Sequence, residues 1–160
     1  VPRLRFGQGW DRLYDAAVRL AAVLVGTVWL WMAAEAVWDW NLFRDGCRNV
    51  GAAEADALVR GTPGLQILDV RSKAEASSGT LPGALLRPFG QPGFRENIRN
   101  GLDPRRPVLV YCAGGFRSRI TVGWLRAAGF HEIHHLHRGI WSWKGQGLPV
   151  EPMAASPEDE

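Results

Sequence analysis

Cys112 is followed by Ala113, Gly114, Gly115, Phe116, Arg117 and Ser118, and residue types in that order favour an anion on the sulfur. Paired glycines let the backbone curl tightly and turn its N–H groups inward. A helix beginning near Arg117 adds the positive end of its dipole. Arg117 adds a full positive charge and a fork of donors. A sulfur held this way is a nucleophile without a dedicated base. The plainer reading of one cysteine is an inert, buried residue at a strand end. The apolar strand before it and the Gly-Gly, Arg-Ser and helix after it weigh for the nucleophile.

Other candidates are less specific. Asp69 and Arg71 end another apolar run, where Arg71 either adds positive field near the loop or forms a structural ion pair with Asp69. All four histidines fall within residues 131–137. On a strand, His135 and His137 point away from His134, so three ligands do not converge and no metal site is assigned. Trp141 and Trp143 read as core or rim packing. Cys47 is either a resolving thiol for Cys112 or a linker cysteine without a role. Two cysteines are too few for a disulfide framework.

The elements that must position Cys112 alternate along the chain. Helical spacing is expected over residues 52–60, 72–78, 94–100, 117–128 and 140–144, with strands over 65–70, 85–89, 107–112 and 132–137. Residues 41–48 read as a linker. Strands alternating with helices predict an α/β fold, a mainly parallel sheet covered by helices on both faces. In such a sheet ligands bind at the carboxyl ends of strands, where Cys112 falls.

The N-terminal part differs. Arg3, Arg5, Arg12 and Arg19 precede an uncharged run over residues 20–34, followed by Ala34-Glu35-Ala36. A basic leader, an apolar stretch and a small-x-small site describe a signal peptide for export. Extended to residues 16–38 and flanked by Trp10, Trp38 and Trp40, the same stretch describes a transmembrane helix that stays as an anchor. A helix belonging to the globular domain is the third reading, since the uncharged run alone is only ~22 Å long. Both membrane readings place the catalytic domain outside the cytoplasm, in a periplasm-like compartment. The net charge is +3, and scattered arginines supply nearly all the positive charge, so no nucleic-acid surface is indicated. The expected divisions are residues 1–46 for the hydrophobic segment and linker, 47–152 for the domain, and 153–160 for a disordered acidic tail.

The loop Cys112-Ala-Gly-Gly-Phe-Arg117-Ser118 resembles the active-site loop of single-domain rhodaneses. Leu68-Asp69-Val70-Arg71 with Glu75, the turn Gly79-Thr-Leu-Pro-Gly-Ala84, Ala128-Gly-Phe130, Arg138-Gly-Ile-Trp-Ser-Trp143 and Gly147-Leu-Pro-Val150 resemble the family's other motifs, in the same order. The resemblance implies a rhodanese-like three-layer fold. It also implies a ping-pong sulfurtransferase. Cys112 would take a sulfane sulfur from thiosulfate, a persulfide or a polysulfide, and hand it as a persulfide to a thiol or protein-cysteine acceptor. Ala113, Gly114, Gly115, Phe116, Arg117 and Ser118 would cradle the sulfur and the donor's anionic end, with Arg71 nearby. No cofactor is implied.

The sequence departs from the family pattern twice. Thr80 replaces a frequent His, and Ala113 stands where many thiosulfate users carry Arg or Lys. The second departure favours a less charged donor. The alternatives are a non-catalytic rhodanese-like binding or regulatory module, which usually lacks the cysteine, and a phosphatase of the same fold, whose loop carries one more residue between Cys and Arg.

Overall fold

The structure, a computed structural model, describes residues 8–43 and 46–153. It divides into two units, Val1–Asn41 and Leu42–Glu160. The leader arginines Arg3 and Arg5 and the tail from residue 154 onward lie outside the described residues, as do the side chains of Trp10, Arg12, Trp38 and Trp40.

The first unit is carried by one long helix, α1 (Gln8–Leu42). Residues 20–34 carry no charged side chain, so this stretch of the helix is apolar around its circumference. None of its described side chains is buried. The 25-residue stretch Leu13–Val37 is long and apolar enough to cross a membrane by length and composition.

In the second unit short strands and helices follow one another in strict alternation. The order is β1 (Cys47–Val50), α2 (Ala52–Gly61), β2 (Gln66–Asp69), α3 (Lys73–Ala76), β3 (Ala84–Leu86), α4 (Phe94–Gly101), β4 (Val108–Tyr111), α5 (Phe116–Ala127), β5 (Ile133–Leu136) and α6 (Gly139–Gly145). The five strands make one sheet in the order β1-β5-β4-β2-β3, and every pairing is parallel. All strands therefore point their carboxyl ends to one edge.

β1 corrects the sequence reading, which placed residues 41–48 in a linker. Only Cys47 and Val50 of this strand are buried, while Arg48 and Asn49 are exposed. A four-residue edge strand with a polar middle has no apolar run to announce it.

Alternation along β4 explains the two-sided core. Val108, Val110 and Cys112 join Leu68, Val70, Val122, Leu125 and Ile133 on one face. Leu109 and Tyr111 join Val50, Ile67, Leu136, Ile140 and Trp143 on the other. Each fully buried Val, Leu or Ile contributes ~1.5–3 kcal/mol of transfer free energy. The central strand is thus fixed from both sides, and the residue at its end is held with it.

Candidate active site

Cys112 is the first residue beyond β4 and is 1% exposed. The chain then turns through Ala113 and Gly114 to Gly115, whose φ of 103° lies in the left-handed region. That conformation suits glycine alone and aims the Gly115 N–H back at the sulfur, 3.1 Å from Sγ. Gly115 is also the N-cap of the 12-residue helix α5. Helix dipole and backbone donor therefore converge on one atom.

Ser118, one turn into α5, is fully buried with its hydroxyl 3.5 Å from Sγ. The same oxygen is 3.0 Å from the Gly115 carbonyl and 3.0 Å from Nε2 of His135. His135 lies in register with Val110 of β4 and Asn49 of β1. Its Nδ1 meets the Asn49 amide at 2.8 Å. Burial, its largest influence, pushes the imidazole down to about 4, so the ring is neutral near pH 7.

Arg117 sits in the first turn of α5. Its guanidinium makes a two-pronged pair with Glu75, Nη1 to Oε2 at 2.8 Å and Nη2 to Oε1 at 2.5 Å. The Glu75 bond holds the guanidinium above its ordinary range, and the nearby Cys112 sulfur acts in the same direction. Glu75 is itself placed by α3, where Ser72 and Glu75 form a reciprocal capping box. Arg117 directs its bonds into α3 while standing near the Cys112 sulfur.

Arg71 is as buried as the core, and its donors are committed to protein. Nε bonds both carboxylate oxygens of Asp69, Nη2 bonds Asp69 and the Gly79 carbonyl, and Nη1 bonds the Glu75 carbonyl. Burial opposes the charge, but Asp69 outweighs it and the guanidinium is held above its usual range. Tyr111 donates to Asp69 at 2.7 Å and accepts from the Leu81 N–H at 3.0 Å. These residues tie β2, α3 and β4 together beneath the site, which is the ion-pair alternative for Arg71.

A second turn supports the loop from below. The Ile140 N–H donates to the Cys112 carbonyl at 2.9 Å and the Trp141 N–H to the Ala113 carbonyl at 3.2 Å. Gly139 has φ 55°, and a Cβ there would stand 2.2 Å from the Cys112 carbonyl oxygen. Phe116 and Trp141 stay 76% and 68% exposed at the loop's rim, and a Cβ on Gly114 would meet the Trp141 ring at 2.8 Å. A cavity of about 510 Å³ opens beyond α3, lined by Ser72, Lys73, Arg87, Phe94 and Asn97 among others; Cys112 is not on its wall.

The rhodanese-like domain family matches residues 51–146. The chain belongs to that family. A tRNA uridine(34) hydroxylase of Bradyrhizobium diazoefficiens is 36% identical to this rhodanese-like domain, over 60% of this chain and 40% of its own length. A rhodanese-like domain protein from Staphylococcus aureus superposes with a TM-score of 0.57 at 26% identity, covering 67% of this chain and 99% of that one. A thiosulfate sulfurtransferase from Pseudomonas aeruginosa superposes with a TM-score of 0.55 at 29% identity, over 69% of this chain and 22% of that one. The chain spans less than half the length of the curated relatives it matches.

Within this rhodanese-like domain the residues 112–118 and Glu75 come together, while Arg71 serves the layer below. Cys47 cannot act as a resolving thiol by direct pairing. Cys47 and Val108 both lie in register with Ile133, so Cys47 starts the sheet's opposite edge. Cys112 is four residues further along, ~13 Å at ~3.3 Å per residue, beyond the ~7 Å Cα limit for a disulfide. His135 and Asn49 are additions that the sequence reading missed. The signal that points to them is the pair of histidines inside the four-residue strand of residues 133–136.

Proposed function

We propose that this domain is a sulfurtransferase working through a Cys112 persulfide. The observation that carries the reading is the sulfur itself: buried, at the mouth of α5, with the Gly115 N–H on it at 3.1 Å and Arg117 close by. Donors aimed where charge resides stabilise a thiolate and equally a terminal persulfide anion. With thiosulfate, the Cys112 thiolate attacks the outer sulfur. The new Sγ–S bond forms as the donor's S–S bond breaks, and sulfite leaves with the electron pair. With a persulfide donor the leaving group is the donor's thiolate. An acceptor thiolate then attacks the outer sulfur, forms its own S–S bond and returns Cys112 as thiolate.

Ala113 leaves Arg117 as the loop's own cation, so a monoanionic persulfide donor is favoured over the dianion thiosulfate. Incubation with thiosulfate, and separately with polysulfide, followed by intact-mass measurement tests this. A gain of one sulfur that disappears in Cys112→Ser is expected. No adduct with either donor would leave the non-catalytic binding module as the better reading. The four residues between Cys112 and Arg117 weigh against the phosphatase.

The helix α1 serves in this reading as a retained membrane anchor. Leu13–Val37 spans ~37 Å at ~1.5 Å per residue, enough for a ~30 Å hydrocarbon core. The leader arginines remain on the cytoplasmic side and the domain lies outside it. Alkaline phosphatase fused after Trp40 is expected to be active in bacteria, and a silent fusion rejects that orientation.

A further inference from the structure

The Ser118 hydroxyl has one proton and three acceptors within reach: the Cys112 sulfur at 3.5 Å, the Gly115 carbonyl at 3.0 Å and the His135 ring at 3.0 Å. Which one it serves decides whether the sulfur receives a second hydrogen bond. We propose that His135 is a positioning residue that turns the Ser118 hydroxyl onto the Cys112 sulfur. The proposal rests on the sulfurtransferase reading for its purpose but not for its test.

A neutral imidazole carries one N–H. Nε2 stands 3.1 Å from the Gly115 carbonyl oxygen, which can only accept. A bare nitrogen there would set two lone pairs against each other in a buried place, so the proton belongs on Nε2. Nδ1 is then the acceptor. Asn49, whose Oδ1 meets Nδ1 at 2.8 Å and whose Nδ2 meets His137 Nδ1 at 3.3 Å, is turned end for end in this state. The two ends of an amide have the same shape, so packing is unchanged. Its NH2 then donates to His135 and its oxygen accepts from His137.

With Nε2 protonated, His135 no longer accepts from Ser118. The Gly115 carbonyl already receives the Arg119 N–H at 3.0 Å as well as the His135 N–H. The sulfur is the acceptor left, and an anionic sulfur is the strongest of the three. Without His135, the hydroxyl falls back on the Gly115 carbonyl three residues earlier, an ordinary local bond for Ser on a helix. The groups around the ring are His137 and Arg119, both of which act against an imidazolium at His135, the Gly115 carbonyl, Asn49, and the Phe43 ring at 5.3 Å.

The test is the pH profile of iodoacetamide alkylation, read on the peptide carrying Cys112, in the full chain. It needs no sulfur donor, so its failure is separable from failure of the sulfurtransferase reading. Ser118→Ala and His135→Leu are each expected to move the rising limb to higher pH and slow alkylation at pH 7 about tenfold, the scale of one lost charge-assisted bond. The double variant is expected to go no further. His135→Gln, whose amide NH2 reaches near the Nε2 position, is expected to restore most of the rate. Nitrogen-15 shifts of the unmodified protein give a reading that no folding defect can blur: Nε2 is expected to be the protonated nitrogen. A proton on Nδ1 overturns the proposal. So does a His135→Leu profile that stays in place while that of Ser118→Ala moves, or a His135→Gln variant as slow as His135→Leu.

Discussion

Arg117 and Glu75 join the helix after Cys112 to the helix after β2, through both prongs of the guanidinium. The pair holds Glu75 at about 2, below its ordinary 4.5, with the Arg117 bond as the largest cause. A depressed carboxylate contributes stability that is fully present above its unfolded value and is lost as pH falls through its folded value. Both side chains are about a third exposed, so screening limits the pair to ~0.2–1 kcal/mol. Glu75→Gln keeps a residue able to complete the Ser72 cap. Urea unfolding is expected to show the variant weaker at pH 7, with the gap narrowing below pH 4.5 and closing as pH falls through 2. A gap undiminished at pH 2 would assign the loss to packing instead.

The Asp69–Arg71 pair behaves differently because neither side chain meets solvent. Removing one partner strands a buried charge, which costs ~3–5 kcal/mol. Arg71→Leu is expected to lose that much in chemical denaturation. Arg71→Lys recovers little, since one ammonium cannot span Asp69 and two carbonyls. Tyr111→Phe is expected to cost ~1–3 kcal/mol by leaving the Leu81 N–H and an Asp69 oxygen short of a partner. Arg71→Lys with wild-type stability but poor sulfur loading would instead return Arg71 to the substrate.

What the sequence showed and what it hid follow from distance along the chain. Gly115 and Ser118 lie three and six residues from Cys112, so the sulfur's own donors were readable from one loop. The strand before it and the helix after it were readable because their core faces repeat. Glu75 is 42 residues from Arg117, and Asn49 is 86 from His135. Those partners meet only because the sheet orders its strands β1-β5-β4-β2-β3, which no local spacing encodes. β1 was invisible for a related reason: its register with β5, not its composition, makes it a strand. The parallel sheet was legible in the alternation of elements, and the ion-pair alternative for Arg71 in its neighbour Asp69.

The turn entering α6 gives two opposite outcomes at adjacent positions. Arg138 has φ 60°, a left-handed backbone that costs a non-glycine residue ~1 kcal/mol or more. Arg138→Gly is expected to raise the melting temperature by a few degrees. Gly139→Ala must push a Cβ into the Cys112 carbonyl, which is backbone and cannot swing away. It is expected to lower stability and sulfur loading together, because the carbonyl it displaces belongs to Cys112. A Gly139→Ala variant that loads sulfur at the wild-type rate would separate this turn from the site.

Ala113 offers the most direct test of donor choice. It sits between the sulfur and Gly114, with its carbonyl fixed by the Trp141 N–H at 3.2 Å. Adding a cation there changes the field felt by an arriving anion without altering that backbone bond. Two charges ~6–8 Å apart across partly solvated protein interact by about 1 kcal/mol, or about fivefold in rate. The dianion thiosulfate gains more from the added charge than a monoanionic persulfide does. Ala113→Arg is therefore expected to raise kcat/KM for thiosulfate roughly thirtyfold and that for a monoanionic persulfide donor about fivefold. The thiosulfate gain is expected to shrink as salt rises, as screening requires. Equal gains with both donors, or a gain insensitive to salt, would mean that charge at position 113 does not set the preference.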